Sequence, residues 1–388
     1  MISYNKPSID QKDINRVVSV LKTRWLTQGK QVEIFEKNLR NKFGSKYCSV
    51  VSSGTAALHL TSLALGWKKN DIIITTANTF VATVNAIEYC KAKLDLVDID
   101  ITNYNINIED LEKKIIHYRN KKIKIKAVIA VDYAGQPCNW KSLHSLKKKY
   151  NFQLVNDNCH SIGSKYLNSN KYAVKYADVV TQSFHAVKNI TTGEGGAILT
   201  NSKLIFSKIN LLRNHGIDKN ILNNRKLPWF KNMKILGYNY RLTDIQSALG
   251  SSQISRLDKF INKRREIANK YNKAFSKIKN LTVPKEEKYS YHSYHLYPLL
   301  INFKNLKKNK IDFYNLFKKN NILLQTHYVP IYYHSYYKKY KKNISKNFKN
   351  TEFFFKNIFS LPLYPELKEK YQKKVIKLVI KFVNDNVK

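Results

Sequence analysis

The sequence predicts an α/β fold, with a mostly parallel central sheet covered by helices on both faces and a smaller C-terminal α+β domain. Between Cys48 and Thr200, strand-like and helix-like segments alternate, as is typical of parallel sheets. The strand segments are continuously apolar, as expected when both faces of a sheet are buried. The length of 388 residues exceeds one typical core, so we expect two domains.

Residues 8–42 are predicted to form two helices joined by a polar loop at residues 25–30. Ser8 is the expected N-cap of the first helix. The apolar residues that recur there at helical spacing are Ile9, Ile14, Val17, Val18 and Leu21. Residues 48–52 are the first predicted strand, which leads through a Ser-Gly-Thr turn into an apolar helix that ends at Leu65.

Strands and helices then alternate along the chain. The further predicted strands are residues 72–75, 94–97, 127–131, 152–157, 178–181 and 197–200. The predicted helices are residues 78–89, 108–118, 140–150 and 201–213. Ligands of such folds bind at the carboxyl ends of the strands. This rule selects segment 52–55, Asp132, Asp157 and segment 183–188 as candidates.

The C-terminal third has a different pattern. Thr243 and Gln246 form a predicted capping box that starts one long linking helix over residues 243–276. The elements predicted after it are strands at 281–284, 295–303 and 323–328 and helices at 310–319 and 367–384, with an exposed loop at 332–349. We therefore predict a large domain of residues 1–250 and a small domain of residues 251–388, on which the N-terminal helices could pack.

The formal net charge of +42 is typical of proteins that bind polyanions. The lysines are spread along the whole chain, and no nucleic-acid-binding signature accompanies them. Nucleic acid is therefore not the expected main partner, whereas a phosphate-bearing small substrate is compatible with the charge.

The four cysteines lie far apart without metal-ligand spacing, so we expect reduced thiols and no metal site. No apolar run reaches the length of about 18 residues that a membrane span needs. The first residues lack the pattern of a signal peptide. We therefore expect a cytoplasmic protein without membrane segments.

Residues 183–196 concentrate the candidate chemistry. Lys188 lies between a predicted strand and the Gly-rich turn 193–196. A lysine amine can form a Schiff base with an aldehyde cofactor when it is held near the carbonyl and can lose its proton. Ser183 adds a hydroxyl that could donate to a phosphate. A solvated lysine in an ordinary turn would give the same pattern, so this stretch alone does not decide the function.

Other strand ends supply matching groups. Asp157 follows an apolar strand, and a carboxylate there could keep the ring nitrogen of a pyridine cofactor protonated. Phe80 could stack on that ring or belong to the core, and His160 could bind the ring oxygen or be an ordinary buried histidine. Segment 53–55 opens a helix whose free N–H groups could bind phosphate, although Ser53 could equally be only an N-cap.

Taken together, the motifs in their order resemble those of the sugar-nucleotide aminotransferases of the DegT/StrS type. These are pyridoxal-phosphate enzymes with the aspartate-aminotransferase fold, also called fold type I. The resemblance covers nearly the whole chain. It is carried by segments 25–29, 53–60, 77–83, 134–138, 156–160, 183–196, 237–241 and 325–330.

The resemblance implies a role for each candidate. Lys188 would hold the cofactor covalently and then carry the proton between C4′ of the cofactor and C4 of the sugar. The residues implied to bind pyridoxal 5′-phosphate are Gly54, Thr55, Phe80, Asp157, His160, Ser183 and Asn239. Asn239 would reach the phosphate of a neighbouring subunit, which implies a homodimer with shared sites. The residues implied to face the nucleotide sugar are Thr27, Gln28, Gly29, His327 and Tyr328.

The sequence most resembles the branch of this family that acts in pseudaminic acid biosynthesis. That branch transfers an amino group from L-glutamate to a UDP-linked 4-keto-6-deoxy-2-acetamido sugar. Asn158 and Cys159 are bulkier than the usual family residues and could alter the pocket. Alternatives remain open: another 4-keto sugar nucleotide of the 4-amino-arabinose or perosamine type, an amino-acid substrate held by Arg241, or a non-catalytic nucleic-acid-binding regulator on the same fold.

Overall fold

The computed structural model describes residues 1–218, 229–340 and 344–388. The strands in these ranges are β1 (Tyr47–Val51), β2 (Ile72–Thr76), β3 (Lys93–Val97), β4 (Ala127–Val131), β5 (Gln153–Asp157), β6 (Lys165–Tyr166), β7 (Val179–Ser183), β8 (Gly196–Thr200), β9 (Leu281–Thr282), β10 (Ser290–Tyr291), β11 (Tyr297–Ile301) and β12 (Ile358–Leu361).

The helices in the same ranges are α1 (Gln11–Leu21), α2 (Lys30–Phe43), α3 (Gly54–Ala64), α4 (Val81–Tyr89), α5 (Ile108–Asn120), α6 (Trp140–Tyr150), α7 (Tyr172–Tyr176), α8 (Lys203–Leu212), α9 (Asp244–Ser255), α10 (Leu257–Phe275), α11 (Lys310–Lys319), α12 (Ile344–Asn347), α13 (Lys349–Asn357) and α14 (Glu369–Asn384). Within the described ranges, none of these helices is both long and apolar enough to cross a membrane.

Seven strands form the central sheet in the order β1-β8-β7-β5-β4-β2-β3. β5 pairs in parallel with β4 and β7, and β2 pairs in parallel with β3 and β4. Only β8 runs against its neighbours, β1 and β7, among the strands of this described sheet. The predicted mostly parallel sheet is therefore confirmed.

Both faces of the sheet are buried. In β4, Val128 and Ala130 belong to one apolar core, while Ala127 and Ile129 belong to another. Helices α2, α5 and α6 cover the first core, and α3, α4 and α8 cover the second. Because successive side chains of a strand point to opposite faces, burial on both sides requires a continuously apolar strand.

The C-terminal elements have an apolar core of their own. Here β11 lies between β12 and β9 in an antiparallel sheet. Side chains from α10, α11 and α14 pack on this sheet. Helices α1 and α2 both contact α9, which spans the predicted domain boundary at residue 250. The division of the chain at residue 250 stays a prediction.

Two expectations about the helices were wrong. The N-cap of α1 is Asp10 rather than Ser8, and its carboxylate accepts hydrogen bonds from the N–H groups of Lys12 and Asp13. The expected long helix from residue 243 is interrupted at Arg256, which separates α9 from α10. Arg256 has φ −107° and ψ 4° and pairs with Asp10 through its guanidinium.

The apolar stripe of α1 does not face the core. Ile14, Val18 and Leu21 are exposed, whereas Asp13 is fully buried. Asp13 accepts a 2.7 Å hydrogen bond from Gln253 and also pairs with Arg256. A buried carboxylate needs such partners, and they turn the polar side of α1 towards α9.

Two expectations near the C-terminus were also wrong. Residues 323–328 form no strand and make one isolated bridge, between Gln325 and Ser360. The part of segment 332–349 that the structure describes is not an exposed loop, because Tyr332, Tyr337 and Phe348 are buried in the core with α3 and α4. Residues 341–343 of that segment lie outside the described residues. Tyrosine-rich composition alone did not distinguish a solvated loop from a packed one.

The contact between α2 and α9 depends on Gly250. A Cβ atom at Gly250 would lie 2.5 Å from the ring of Phe35, which is fully buried. We expect Gly250→Ala to destabilise the protein by about 1–3 kcal/mol through overpacking, although alanine favours a helix by about 1 kcal/mol over glycine. The free energy of unfolding in urea measures this change.

Ser255→Ala, at the exposed end of the same helix, is the matched control. It should change the free energy of unfolding by no more than about 0.5 kcal/mol. A Gly250→Ala variant as stable as the parent protein would contradict the close packing of α2 on α9.

Candidate active site

The candidate residues meet at the carboxyl edge of the central sheet. β1, β5 and β7 run in the same direction, since β8 is antiparallel to both β1 and β7 and β5 is parallel to β7. The segments that follow these three strands begin at Ser52, Asn158 and Phe184. Residues far apart in the chain therefore converge, as expected for an α/β sheet.

Lys188 lies in the loop between β7 and β8 and is half-buried. Its backbone N–H group donates a 2.9 Å hydrogen bond to the carbonyl of His185. Burial lowers the pKa of the Lys188 ammonium, and the Cys159 and Asp157 side chains partly oppose this effect. A lowered pKa increases the neutral fraction of the amine, which is the nucleophilic form.

Asp157 is the last residue of β5, and its side chain is buried. One carboxylate oxygen accepts a 2.8 Å hydrogen bond from the Thr83 hydroxyl, and the other accepts a 3.2 Å bond from the Cys159 N–H group. The Thr79 hydroxyl lies 2.8 Å from that of Thr83. These contacts hold the carboxylate in place at the end of β5.

Sequence reasoning missed Thr83, although motif 77–83 contains it. The available signal was a hydroxyl residue on the otherwise apolar buried side of helix α4. Phe80, which we expected inside that helix, is its N-cap and is 52% exposed. The Phe80 ring lies 5.6 Å from the ring of Tyr328, so one face of the site has an accessible aromatic surface.

Gly54 and Ser183 are in direct contact at the start of α3. A Cβ atom at Gly54 would lie 2.8 Å from the Ser183 Cβ atom, so only glycine fits there. Ser53 caps the helix by accepting from the Ala56 N–H group, and Thr55 is half-buried beside it. The first turn of a helix presents unpaired N–H groups and a favourable dipole to an anion.

His160, His327 and Tyr328 form another part of the site. The His160 Nδ1 atom accepts from the Ala134 N–H group at 3.3 Å, so Nε2 carries the ring proton. That nitrogen lies 2.8 Å from the Tyr328 hydroxyl. His327 Nδ1 lies 2.8 Å from the Ser360 hydroxyl. The Lys188 charge contributes to the lowered pKa values of both histidines.

The other candidates are not part of this cluster. Gly29 donates a 2.8 Å hydrogen bond to the Asp244 carboxylate, and Thr27 pairs with Thr243, so loop 25–30 lies at the start of α9. Gln28 is exposed and has a left-handed backbone with φ 57°. Asn239 is exposed and pairs with Asn214.

Asp132 lies at a strand end but its side chain belongs to the core. It accepts hydrogen bonds from the Cys138 N–H group and from the side chains of Trp140, Asn156, Asn158 and Tyr172. Burial raises the pKa of Asp132 to about 6 despite these donors. The Asn158 amide donates to Asp132 and to the Tyr172 hydroxyl, and its expected effect on the pocket stays a prediction.

The groups present fit a pyridine aldehyde cofactor that carries a phosphate. A half-buried lysine can attach to the aldehyde, and a buried carboxylate with two donors can face the ring nitrogen. The close contact at Gly54 leaves the Ser183 hydroxyl next to the first turn of α3, where an anion is favoured. The buried Asn78 amide nitrogen also lacks a hydrogen-bond partner among the described residues.

Comparisons with known proteins agree with this geometry. The model of the DegT/DnrJ/EryC1/StrS aminotransferase family matches residues 7–380. The UDP-4-amino-4,6-dideoxy-N-acetyl-beta-L-altrosamine transaminase of Campylobacter jejuni subsp. jejuni serotype O:23/36 is 38% identical over 367 residues, covering 95% of this chain and 93% of the relative. The GDP-perosamine synthase of Escherichia coli O157:H7 is 33% identical over 300 residues, covering 77% of this chain and 78% of the relative.

Among solved structures, this chain is similar to PseC of Helicobacter pylori, described as an aminotransferase involved in the biosynthesis of pseudoaminic acid. The TM-score is 0.88 at 33% sequence identity, and the match covers 99% of each chain. The likeness therefore extends over both the central sheet and the C-terminal elements.

The buried histidines predict the dependence of stability on pH. Burial lowers the pKa values of His160, His292, His295 and His327, to about 3 for His292 and His327. The unfolded chain therefore binds more protons between pH 6.5 and about 3, and stability present above pH 6.5 is lost as the pH falls. We expect about 1.4 kcal/mol per histidine per pH unit below pH 6.5, measured by urea unfolding at pH 7.5, 6.5 and 5.5.

His292 tests this account, because its Nδ1 atom accepts a 2.8 Å hydrogen bond from the Tyr294 N–H group and must stay unprotonated. His292→Asn should make the pH dependence shallower by about one proton. His117→Asn, at an exposed position on α5, is the control and should not change the slope. An unchanged slope in His292→Asn would contradict the account.

Proposed function

Because the chain belongs to the DegT/DnrJ/EryC1/StrS aminotransferase family, we propose that it transfers an amino group from L-glutamate to C4 of a UDP-linked 4-keto-6-deoxy-2-acetamido sugar. It is a sugar aminotransferase, and its cofactor is pyridoxal 5′-phosphate. The observation that carries the proposed substrate is the 38% identity to the altrosamine transaminase over nearly the whole chain. The proposed pathway is pseudaminic acid or related surface-glycan biosynthesis.

We further propose the cytoplasm as its compartment. The described chain has four free cysteines, Cys48, Cys90, Cys138 and Cys159. Thiols persist in reducing compartments, which supports this location.

The residues at the sheet edge account for cofactor binding. Pyridoxal phosphate, when bound, supplies an electron-withdrawing ring that stabilises negative charge on the reacting carbon. We assign Lys188 to its attachment and Asp157, held by Thr83, to the ring nitrogen. Gly54, Thr55 and Ser183 would hold the phosphate. The exposed face of Phe80 would stack on the ring, and His160 would lie at the ring oxygen.

Lys188 is also the proposed proton carrier. Burial lowers the pKa of its amine, which increases the fraction of the neutral form that can accept a proton. Its Nζ atom would move the proton between C4′ of the cofactor and C4 of the sugar. The hydrogen bond between Lys188 N–H and the His185 carbonyl keeps this loop turned towards the sheet edge.

Tyr328 and His327 are the proposed contacts to the sugar on this side of the site. His160 donates its Nε2 proton to the Tyr328 oxygen, so the hydroxyl hydrogen of Tyr328 stays available to a ligand. Because their pKa values are lowered, His160 and His327 stay neutral. Lys188 would then be the titrating base of the reaction.

An absorbance spectrum tests the proposed reaction. We expect the cofactor-loaded protein to show a visible band that excess L-glutamate converts to a shorter-wavelength form. Adding the UDP-linked 4-keto sugar should restore the visible band as the 4-amino sugar forms. A GDP-linked 4-keto sugar that restores the band faster would favour the perosamine type of substrate, which the 33% identity to a GDP-perosamine synthase makes the second candidate.

Lys188→Ala is the variant that tests the assignment of the lysine. We expect it to lose the visible band and more than about 99.9% of turnover while its fold stays intact. Lys203→Ala, at an exposed position on α8, should behave like the parent protein. Unchanged turnover in Lys188→Ala would remove the proposed mechanism.

We propose that the active protein is a homodimer with shared sites. Large exposed apolar side chains support this: Ile14, Val18, Leu21, Trp25, Leu26, Trp229, Phe230, Met233, Ile235 and Leu236. A cavity of about 460 Å³ is lined by both Gln28 and Ile217, and Ile217 pairs with Met233, so loop 25–28 and segment 229–236 adjoin. Exposed apolar surface of this extent is typical of protein interfaces. Thr27, Gln28, Gly29 and the exposed Asn239 would reach a site across that interface.

Mixing two inactive variants tests the shared site. In a mixed dimer of Lys188→Ala and Asn239→Leu subunits, one site would carry both changes and the other neither. After random exchange of subunits we expect about a quarter of the parent activity, because half of the dimers are mixed and each has one intact site. Sedimentation velocity measures the dimer in the same samples. No recovery of activity in a proven mixed dimer would place Asn239 in the site of its own subunit or outside any site.

A further inference from the structure

The N-terminal segment is attached to the C-terminal elements. Ile2 donates a 2.8 Å hydrogen bond to the Asn321 carbonyl and accepts a 2.9 Å bond from the Leu323 N–H group. The Leu363 N–H group donates to the Tyr4 carbonyl at 3.0 Å. The backbone of residues 2–4 therefore follows the C-terminal elements, although more than 300 residues separate them in the chain.

Asn5, the next residue, reaches the loop of Lys188. Its buried side-chain amide donates a 2.8 Å hydrogen bond to the carbonyl of Val187, 182 positions further along the chain. The side-chain oxygen of Asn5 accepts hydrogen bonds from the Lys6 N–H group at 2.8 Å and from an Arg264 guanidinium nitrogen at 3.2 Å. One side chain thus connects the residue before Lys188 to α10.

Arg264 is a buried cation with little compensation. It is 1% exposed and donates to the backbone carbonyls of Tyr294, His295 and Leu363 at 3.0–3.3 Å. Within the described residues it makes no ion pair with a carboxylate, and burial lowers its pKa to about 9. A buried charge of this kind depends on every oxygen around it. Among the described residues, the Asn5 oxygen is the side-chain oxygen that accepts a hydrogen bond from Arg264.

The loop is also held on the other side of Lys188. The Asn189 side-chain amide donates a 2.8 Å hydrogen bond to the carbonyl of Ile162, and Asn189 is buried. The two residues that flank Lys188 are therefore each fixed by an asparagine amide. Asn189 belongs to the loop, whereas Asn5 comes from the far N-terminus.

We propose that Asn5 is a positioning residue for Lys188. Held by Arg264, it fixes the Val187 carbonyl, keeps the lysine amine in place at the sheet edge and limits the access of water to it. It also connects the position of the C-terminal elements to the Lys188 loop. This inference rests on the proposed function of Lys188.

Two substitutions at Asn5 separate the hydrogen bond to the Val187 carbonyl from the one with Arg264. Asn5→Leu removes both of these and also the bond from the Lys6 N–H group. Asn5→Asp keeps an oxygen for Arg264 but cannot donate to the Val187 carbonyl at neutral pH. We expect both variants to lower kcat about tenfold or more while KM changes less than about twofold, because small displacements of a reacting group are costly.

The readouts independent of turnover are the dissociation constant of pyridoxal phosphate and the pH midpoint of the visible band of the loaded protein. Release of the loop should weaken cofactor binding about tenfold and move the pH midpoint by about half a unit or more, since added water changes the desolvation of the amine. Asn5→Asp should keep the thermal midpoint of the parent protein, because the contact with Arg264 is retained.

Asn357 offers a matched control. It is buried, its amide donates a 2.7 Å bond to the Phe353 carbonyl, and its oxygen accepts from the Phe303 N–H group. Asn357→Leu and Asn357→Asp should lower the thermal midpoint as any buried amide loss does. They should leave kcat, cofactor affinity and the pH midpoint of the band unchanged.

Parent-like kcat, cofactor affinity and pH midpoint in Asn5→Asp would overturn the proposal and leave Asn5 as a structural tie. If Asn5→Leu does not fold, Asn5→Asp decides. Failure of Asn5→Asp to fold while Asn357→Asp folds would also overturn it, by making Asn5 a determinant of folding. A visible band that survives in Lys188→Ala would instead refute the proposed function itself.

Discussion

The alignment of the strands in the central sheet is the constraint on which the site depends. Because β1, β5 and β7 all end at one edge, Gly54, Asp157 and Lys188 are brought together from distant parts of the chain. The antiparallel strand β8 then closes the Lys188 loop, since Ser183 at the end of β7 pairs with Gly196 at the start of β8. The loop is thus fixed at both ends by backbone hydrogen bonds.

The buried charged groups near this sheet edge differ in the kind of partner that holds them. Arg264 is a cation held largely by carbonyl oxygens, while Asp157 is a carboxylate held by a hydroxyl and an N–H group. The field of Lys188 helps to lower the pKa values of His160, His295 and His327. The site therefore combines an excess of positive charge with neutral histidines, which suits substrates that carry phosphate or carboxylate groups. This local pattern is more informative than the net charge of +42.

The wrong expectations share a cause. The local sequence pattern of a helix shows which of its faces are apolar, but not which part of the protein each face contacts. Helix α1 has a regular apolar stripe, but Asp13 is the residue that faces the interior, because Gln253 and Arg256 supply its hydrogen bonds. The predicted long helix after Thr243 has no proline or glycine at its break, and Arg256 interrupts it while binding α1. In both cases Arg256 forms an ionic contact with Asp10 or Asp13 where the structure departs from the helical pattern.

The sequence by itself determined the α/β class, the parallel sheet, Lys188 and Asp157 at strand ends, and the family, because these depend on local periodicity and on motif order. Tertiary structure alone decided which polar groups form hydrogen bonds with these site residues and with their neighbours. Thr83 supports Asp157 across 74 positions, and Asn5 supports Val187 across 182. Asp132 follows the same strand-end rule as Asp157 but is directed into the core by Trp140 and other donors. Hydrogen-bond partners of this kind depend on where strands and helices lie in space, which neighbouring letters in a sequence do not specify.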